Sequence, residues 1–140
     1  MTQSYANHRR MDPWYHYVAL SLWVVCIAST VHHLFQHRPG ARTDLLLLFL
    51  IIILLLKVRT YALRVQDRVI RLEETLRMKA ILPEAMQAEV HRLKPAQFVG
   101  LRFAADAELA ARAEEALRED LSGEAIKKRI QTWRPDEFRV

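Results

Sequence analysis

The sequence predicts an all-α membrane protein: a two-helix transmembrane hairpin whose second helix extends into the cytoplasm and is followed by a small helical cap. Three observations predict it. No Asp, Glu, Lys or Arg occurs from Pro13 to His37, a second apolar run, LLLLFLIIILLL, fills Leu45 to Leu56, and neither Gly nor Pro interrupts the chain between Gly40 and Pro83. Hydrophobic residues make up 51% and charged residues 26% of the 140, yet the mean hydropathy is close to zero, so the two classes are segregated along the chain. A chain of this length holds at most one ordinary domain, which excludes a large multi-domain enzyme. With a single cysteine, no disulfide forms within one chain.

Residues 1–14 form an N-terminal cytoplasmic segment, and 15–61 form the hairpin, with helices over about 15–36 and 42–61. Tyr17 to Phe35 is a run of nineteen residues, which as a helix spans roughly 28 Å, one bilayer core. A cleaved signal peptide is the alternative. It is disfavoured because the run is too long, no small-x-small site follows it, and Asp12 sits beside Arg9 and Arg10. Cys26 follows Trp23-Val24-Val25, not the small residues of a lipidation site, and reads as a packing residue. Gln36 to Gly40 is turn chemistry, and so short a connection forces antiparallel helices.

The second apolar run, at twelve residues, also suits a buried helix of a soluble domain. Its all-round Leu/Ile composition favours lipid, and Lys57 and Arg59 can snorkel and lengthen the crossing. A soluble domain this small could not surround both segments. Trp14, Tyr15, Tyr17 and Tyr61 then fall near one interface, as an aromatic belt.

Basic residues near the membrane ends number seven on the side of the termini (Arg9, Arg10, Lys57, Arg59, Arg64, Arg68, Arg71) and two in the loop (Arg38, Arg42), so both termini are expected in the cytoplasm. Residues 57–79 hold seven Lys/Arg against three Asp/Glu, whereas 80–140 hold ten against eleven. The positive charge is therefore juxtamembrane. Arg9, Arg10, Lys57, Arg59, Arg64 and Arg68 are expected to meet lipid headgroups, and nucleic-acid binding is disfavoured.

The second helix continues over 62–82 as a cytoplasmic extension that Pro83 ends. Along it Val58, Ala62, Val65, Val69, Leu72 and Leu76 recur at alternating spacings of four and three, the seam of a coiled coil. Either a partner helix, from another subunit or a second copy, or the chain's own C-terminal helices cover it. Gln66 lies off the stripe and is expected to be wet. Asp67 with Arg71, and Glu73 with Arg77, have the spacing of solvated helix ion pairs.

The cap, 83–140, reads as four short helices: Pro83–Leu93, Pro95–Ala104, Ala107–Leu121 and Gly123–Trp133. Pro83 and Pro95 suit first helical positions, and Asp106 and Ser122 suit N-caps. Leu109, Ala113, Leu117 and Leu121 form one apolar stripe; Ile126, Ile130 and Trp133 form another. Fifty-eight residues make a marginal core, so the cap should lean on the long helix, a second copy or a partner protein.

No phosphate-cradling loop exists, since the three glycines are isolated. No catalytic residue, metal or small-molecule substrate is expected. His33 and His37, spaced i, i+4, are the candidates for a metal or for haem or another tetrapyrrole, with His32 beside them. The second apolar helix has no histidine, so a haem would need another chain to supply its second axial ligand. The expectation is thus a non-enzymatic structural or protein-interaction subunit; the alternative is an accessory subunit of a redox or light-harvesting complex.

Three stretches carry a resemblance: Gln3-Ser4-Tyr5-Ala6-Asn7-His8-Arg9-Arg10, Arg59 to Asp67-Arg68 (RTYALRVQDR), and Ala125-Ile126-Lys127-Lys128 with Trp133-Arg134-Pro135-Asp136. In these the chain resembles a family of small bacterial membrane proteins of unknown function. The resemblance implies a bacterial two-crossing protein and nothing catalytic; the leading expectation is an integral protein of the inner membrane.

Overall fold

The computed structural model describes residues 3–7 and 11–136. The described residues are all-helical apart from one isolated antiparallel bridge, Ala104 with Trp133. They fall into two compact units, one of Met11–Leu63 and one of 64–136 with residues 3–7.

In the first unit, helix α1 runs over Trp14–Phe35, π-helical over Trp14–Ala19 and α-helical over Leu20–Phe35. Asp12 starts it: its Oδ1 accepts from the N–H groups of Trp14 (2.9 Å) and Tyr15 (3.2 Å), two donors that no helical carbonyl reaches. Helix α2 runs unbroken over Ala41–Ile81. Both are long and apolar enough to cross a membrane, and Leu22, Val25, Leu46, Phe49 and Leu54 stand more than half exposed. Trp23 Nε1 donates to the Leu48 carbonyl at 2.9 Å, and the Arg59 guanidinium lies 5.8 Å from the Tyr15 ring centroid.

The turn between α1 and α2 is a Schellman end. The N–H of His37 bonds the Leu34 carbonyl (3.1 Å) and that of Arg38 the His33 carbonyl (3.1 Å), with His37 at φ +52°. This satisfies two orphan carbonyls of α1. Gly40, at φ +88°, supplies the second reversal before α2, where a side chain would be strained.

In the second unit, α2 presents Ile70, Glu74, Met78 and Leu82 inward. The core that meets this face comprises Val90, Leu93, Phe98, Leu101, Phe103, Leu109, Ala113, Ala116 and Ile126. Of the three supports open to the cap, the long helix supplies Met78 and Leu82 to its core, and Ile70, Glu74, Met78 and Leu82, spaced i, i+4, i+8 and i+12, share one helical face.

The predicted first cap helix is broken into α3 (Glu84–Gln87) and a 3₁₀ turn, Val90–Arg92. Lys94 is extended ahead of Pro95, as a residue preceding proline must be, and Pro95 opens α4 (Pro95–Leu101). Pro83 is the cap residue before α3, not its first helical residue. Gln97 is 2% exposed and makes three hydrogen bonds at this corner: its Oε1 accepts from Lys94 N–H (2.8 Å), and its Nε2 donates to the carbonyls of Ala116 and Leu121 (both 3.0 Å). One buried amide therefore ties the start of α4 to the end of α5 (Asp106–Arg118).

Asp106 is not an N-cap. Ala105 occupies that position, and Asp106 turns its carboxylate to Arg77, a charged donor that binds it more strongly than a backbone N–H would. Ser122 does cap α6 (Gly123–Arg129), accepting from Ala125 N–H at 3.1 Å. This last helix ends four residues earlier than expected. Ile130 is extended; beyond it Glu108 accepts from the N–H groups of Gln131 (3.3 Å) and Thr132 (2.8 Å), Ala105 N–H bonds the Thr132 carbonyl, and Arg134 N–H bonds the Phe103 carbonyl. These partners replace the helical ladder, and Trp133 packs against Phe103 with the rings tilted by 37° and centroids 5.0 Å apart.

Candidate functional site

The apolar stripe on α2 is not covered by the chain's own C-terminal helices. Val58, Val65, Val69, Leu72 and Leu76 are between 47% and 68% exposed, and Ala62 is half-buried. At 100° per residue the stripe through Val65, Val69, Leu72 and Leu76 lies roughly 170° around the helix from Ile70, Glu74 and Met78. The cap takes one face of α2 and leaves the opposite, heptad-spaced face bare. Gln66 is not wet as expected: it is half-buried, and its Oε1 is shielded from solvent without a hydrogen-bond partner. Asp67 is exposed although it lies on the face of Ile70 and Glu74, one turn before the buried part of that face, and far around the helix from the stripe.

Of the basic residues expected at headgroups, Arg9 and Arg10 lie outside the described residues. Lys57, Arg64 and Arg68 are exposed and Arg59 half-buried. Lys57 lies over Tyr61 (5.9 Å to the centroid) and Arg59 over Tyr15, so basic and aromatic side chains pair at this level of the helices.

His33 and His37 do not share a helical face. The α1 helix ends at Phe35, and His37 has left it in the left-handed region, so the i, i+4 argument for a shared metal loses its geometry. His32 Nε2 sits 2.9 Å from Gln36 Nε2, the amide donating to the ring nitrogen. Among the described residues no group of three His, Cys, Asp or Glu is placed to hold a metal.

A cavity of about 660 Å³ opens beside the inward face of α2. Arg77, Arg102 and Arg134 line it with Glu73, Glu74 and Asp136, so its charges balance. Arg77 donates to Glu74 (2.9 Å), to Asp106 and to the Ala104 carbonyl (2.7 Å). Arg134 reaches the same Glu74 at 3.1 Å, and Arg102 pairs with Asp136 at 3.3 Å. No Ser, Thr, Cys or His is among the described lining residues. The arrangement anchors the Trp133 to Asp136 segment against α2. The helix-spaced pair expected of Glu73 with Arg77 is replaced by Glu74 with Arg77, and Arg71 lies over the Phe98 ring at 5.8 Å.

The N-terminal segment joins the same unit. Tyr5 OH donates to Glu124 Oε1 at 2.8 Å, Lys128 lies 5.6 Å from the Tyr5 ring centroid, and Gln3 Oε1 accepts from Asp136 N–H at 2.8 Å. Residues that look unrelated in the sequence, at the two ends of the chain, are each other's partners.

These features define an all-helical protein with two apolar helices of membrane-crossing length and a compact helical unit whose apolar core is flanked by a cluster of ion pairs on α2. The chain belongs to the family of unknown function DUF6526, whose family model matches residues 1–140. No curated protein and no solved structure matches it.

Proposed function

We propose that this protein is a two-crossing protein of the bacterial inner membrane, with both termini in the cytoplasm, that acts as a non-enzymatic structural subunit by docking a partner helix on α2. The observation that carries the docking role is the bare, heptad-spaced stripe of Val65, Val69, Leu72 and Leu76 opposite a fully packed face. Exposed apolar rows of this period in water are seams awaiting another helix.

The topology has its own support. Gln3 and Tyr5 precede the first apolar helix, yet they bond Asp136 and Glu124, which follow the second. A chain that leaves a compact unit and returns to it crosses a bilayer an even number of times. As the α1 partner steps from Trp23 back to Tyr15, the α2 partner steps from Leu48 on to Arg59, the order of an antiparallel hairpin. The seven-to-two basic asymmetry supports termini on the inside, with Lys57, Arg59 and Arg64 at anionic headgroups. Reporter fusions at Met1 and Val140 should both give cytoplasmic signals, and periplasmic activity at either end would overturn this topology.

Val69→Glu tests the docking role. In the chain alone Val69 is half in water, so the variant should keep the fold of the helical unit; against a partner the new carboxylate is buried unpaired, at a cost of several kcal/mol. The particle purified in mild detergent should fall to a single chain, while Asp67→Lys, at an exposed position off the stripe, leaves its mass unchanged. An unchanged mass for Val69→Glu removes the docking role.

A further inference from the structure

Resting on the reading of α2 as a docking helix, we infer that the partner is a second copy of this chain, set parallel and in register, with Arg68 of each copy paired to Glu73 of the other. The spacing fixes heptad positions: Val69 and Leu76 fall at a, Val65 and Leu72 at d. Arg68 is then at g, immediately before the a residue Val69, and Glu73 at the following e. In a parallel pair a g residue meets the e residue five positions on in its partner. The two residues in question carry opposite charge, both are exposed, and they flank the stripe on its two sides. Two-fold symmetry makes the contact twice.

A bilayer supplies what so short a seam lacks. Two copies inserted with the same topology have their α2 helices pointing the same way at the same depth, so direction and register are set before the helices touch. The orientational cost that a soluble pair would bear on association is thereby reduced. Valine at the central a position with leucine at the next d suits a two-stranded arrangement. On the opposite face, Ile70, Glu74 and Met78 are already engaged with the chain's own helices, so a second copy can approach without displacing them.

The test is made on the full chain in native membranes, in a Cys26→Ser background that removes the free thiol. Val69→Cys should form a disulfide-linked dimer on mild oxidation, because a–a′ neighbours bring Cα atoms within about 7 Å, and Asp67→Cys should not. Before oxidation, Cys at 69 should react with a water-soluble maleimide roughly tenfold more slowly than Cys at 67, as a covered site does. In the Val69→Cys chain, Arg68→Glu or Glu73→Arg alone should lose most of the cross-linked band, since each sets like charges across both contacts. Co-expressing the two single variants should restore it as a mixed dimer. If position 69 is protected but never cross-links to itself, another protein covers the stripe: the second-copy inference falls and the docking role stands. If position 69 labels as fast as position 67, the stripe is open and both fall.

Discussion

Gly123→Ala should cost the helical unit about 3 kcal/mol, the upper end of what overpacking does to a core. A Cβ built on Gly123 would lie 2.3 Å from the Ala96 carbonyl oxygen, and one on Gly100 would lie 2.8 Å from the Gly123 carbonyl oxygen. Both obstacles are backbone, so neither can rotate aside. Helices α4 and α6 touch main chain to main chain, and one methyl group must push them apart together with Phe98, Leu101 and Ile126 packed around them. For a unit of this size the loss corresponds to roughly 15 °C in Tm. Gly40→Ala is the informative comparison, because no atom lies within 4 Å of its Cβ position and only its φ of +88° opposes the substitution. That variant should lose about 1 kcal/mol, confined to the turn before α2. Hydrogen exchange followed by mass spectrometry reads both effects segment by segment. Near-native protection of residues 95–129 in Gly123→Ala would contradict the close approach.

Elements governed by local rules were legible in the sequence. The absence of Gly and Pro from 41 to 82 and the proline at 83 mark α2, which ends at Ile81. Ser122 caps as its side chain suggests, because Ala125 N–H is the nearest unsatisfied donor. Where expectation and structure part, a distant partner offers more than the local one. Asp106 had the chemistry of an N-cap and is taken by Arg77 instead. Trp133 had helical spacing from Ile126 and Ile130, but the Phe103 ring and the backbone of Ala104 hold it in an extended segment. His37 had helical spacing from His33, but α1 ends between them at Phe35 and His37 itself is left-handed, a position where glycine is the usual signal and histidine gives none.

The stripe on α2 was legible as a stripe, while its bareness was not. Sequence periodicity shows which residues share a face, but α2 has two usable faces in its second half. The row Ile70, Glu74, Met78, Leu82 is interrupted by a charge and does not look like a core. Glu74 belongs in it because Arg77, three residues on, and Arg134, sixty residues on, reach it there, and the second is invisible to local periodicity. Gln97 and Arg102 carry no local signal for the same reason: each is polar, nearly fully buried, and placed by partners remote in the chain.

Glu74→Ala should therefore destabilise the helical unit by about 3 kcal/mol, whereas Glu73→Ala should change it by less than about 0.5 kcal/mol. The neighbours differ in what they face. Glu74 is 4% exposed and accepts from Arg77 Nη1 at 2.9 Å and from Arg134 Nη1 at 3.1 Å. Its removal leaves the Arg77 guanidinium, itself 10% exposed, with Asp106 and the Ala104 carbonyl but without its innermost counter-charge. It also releases the Arg134 side chain, one of the holds on the Trp133 to Asp136 segment. Glu73 is exposed within the chain; truncating it removes no ion pair inside the helical unit, and its contact with a second copy is an exposed pair worth less than about 1 kcal/mol. Glu74→Gln separates charge from shape, keeping the acceptor oxygen but not the charge, and should fall between the two. Chemical denaturation of the full chain in mild detergent, followed by Trp133 fluorescence with Trp14 and Trp23 replaced by Phe, gives the order. Equal effects at 73 and 74 would mean that the helix-spaced pair read from the sequence, and not the buried cluster, holds α2 to the cap.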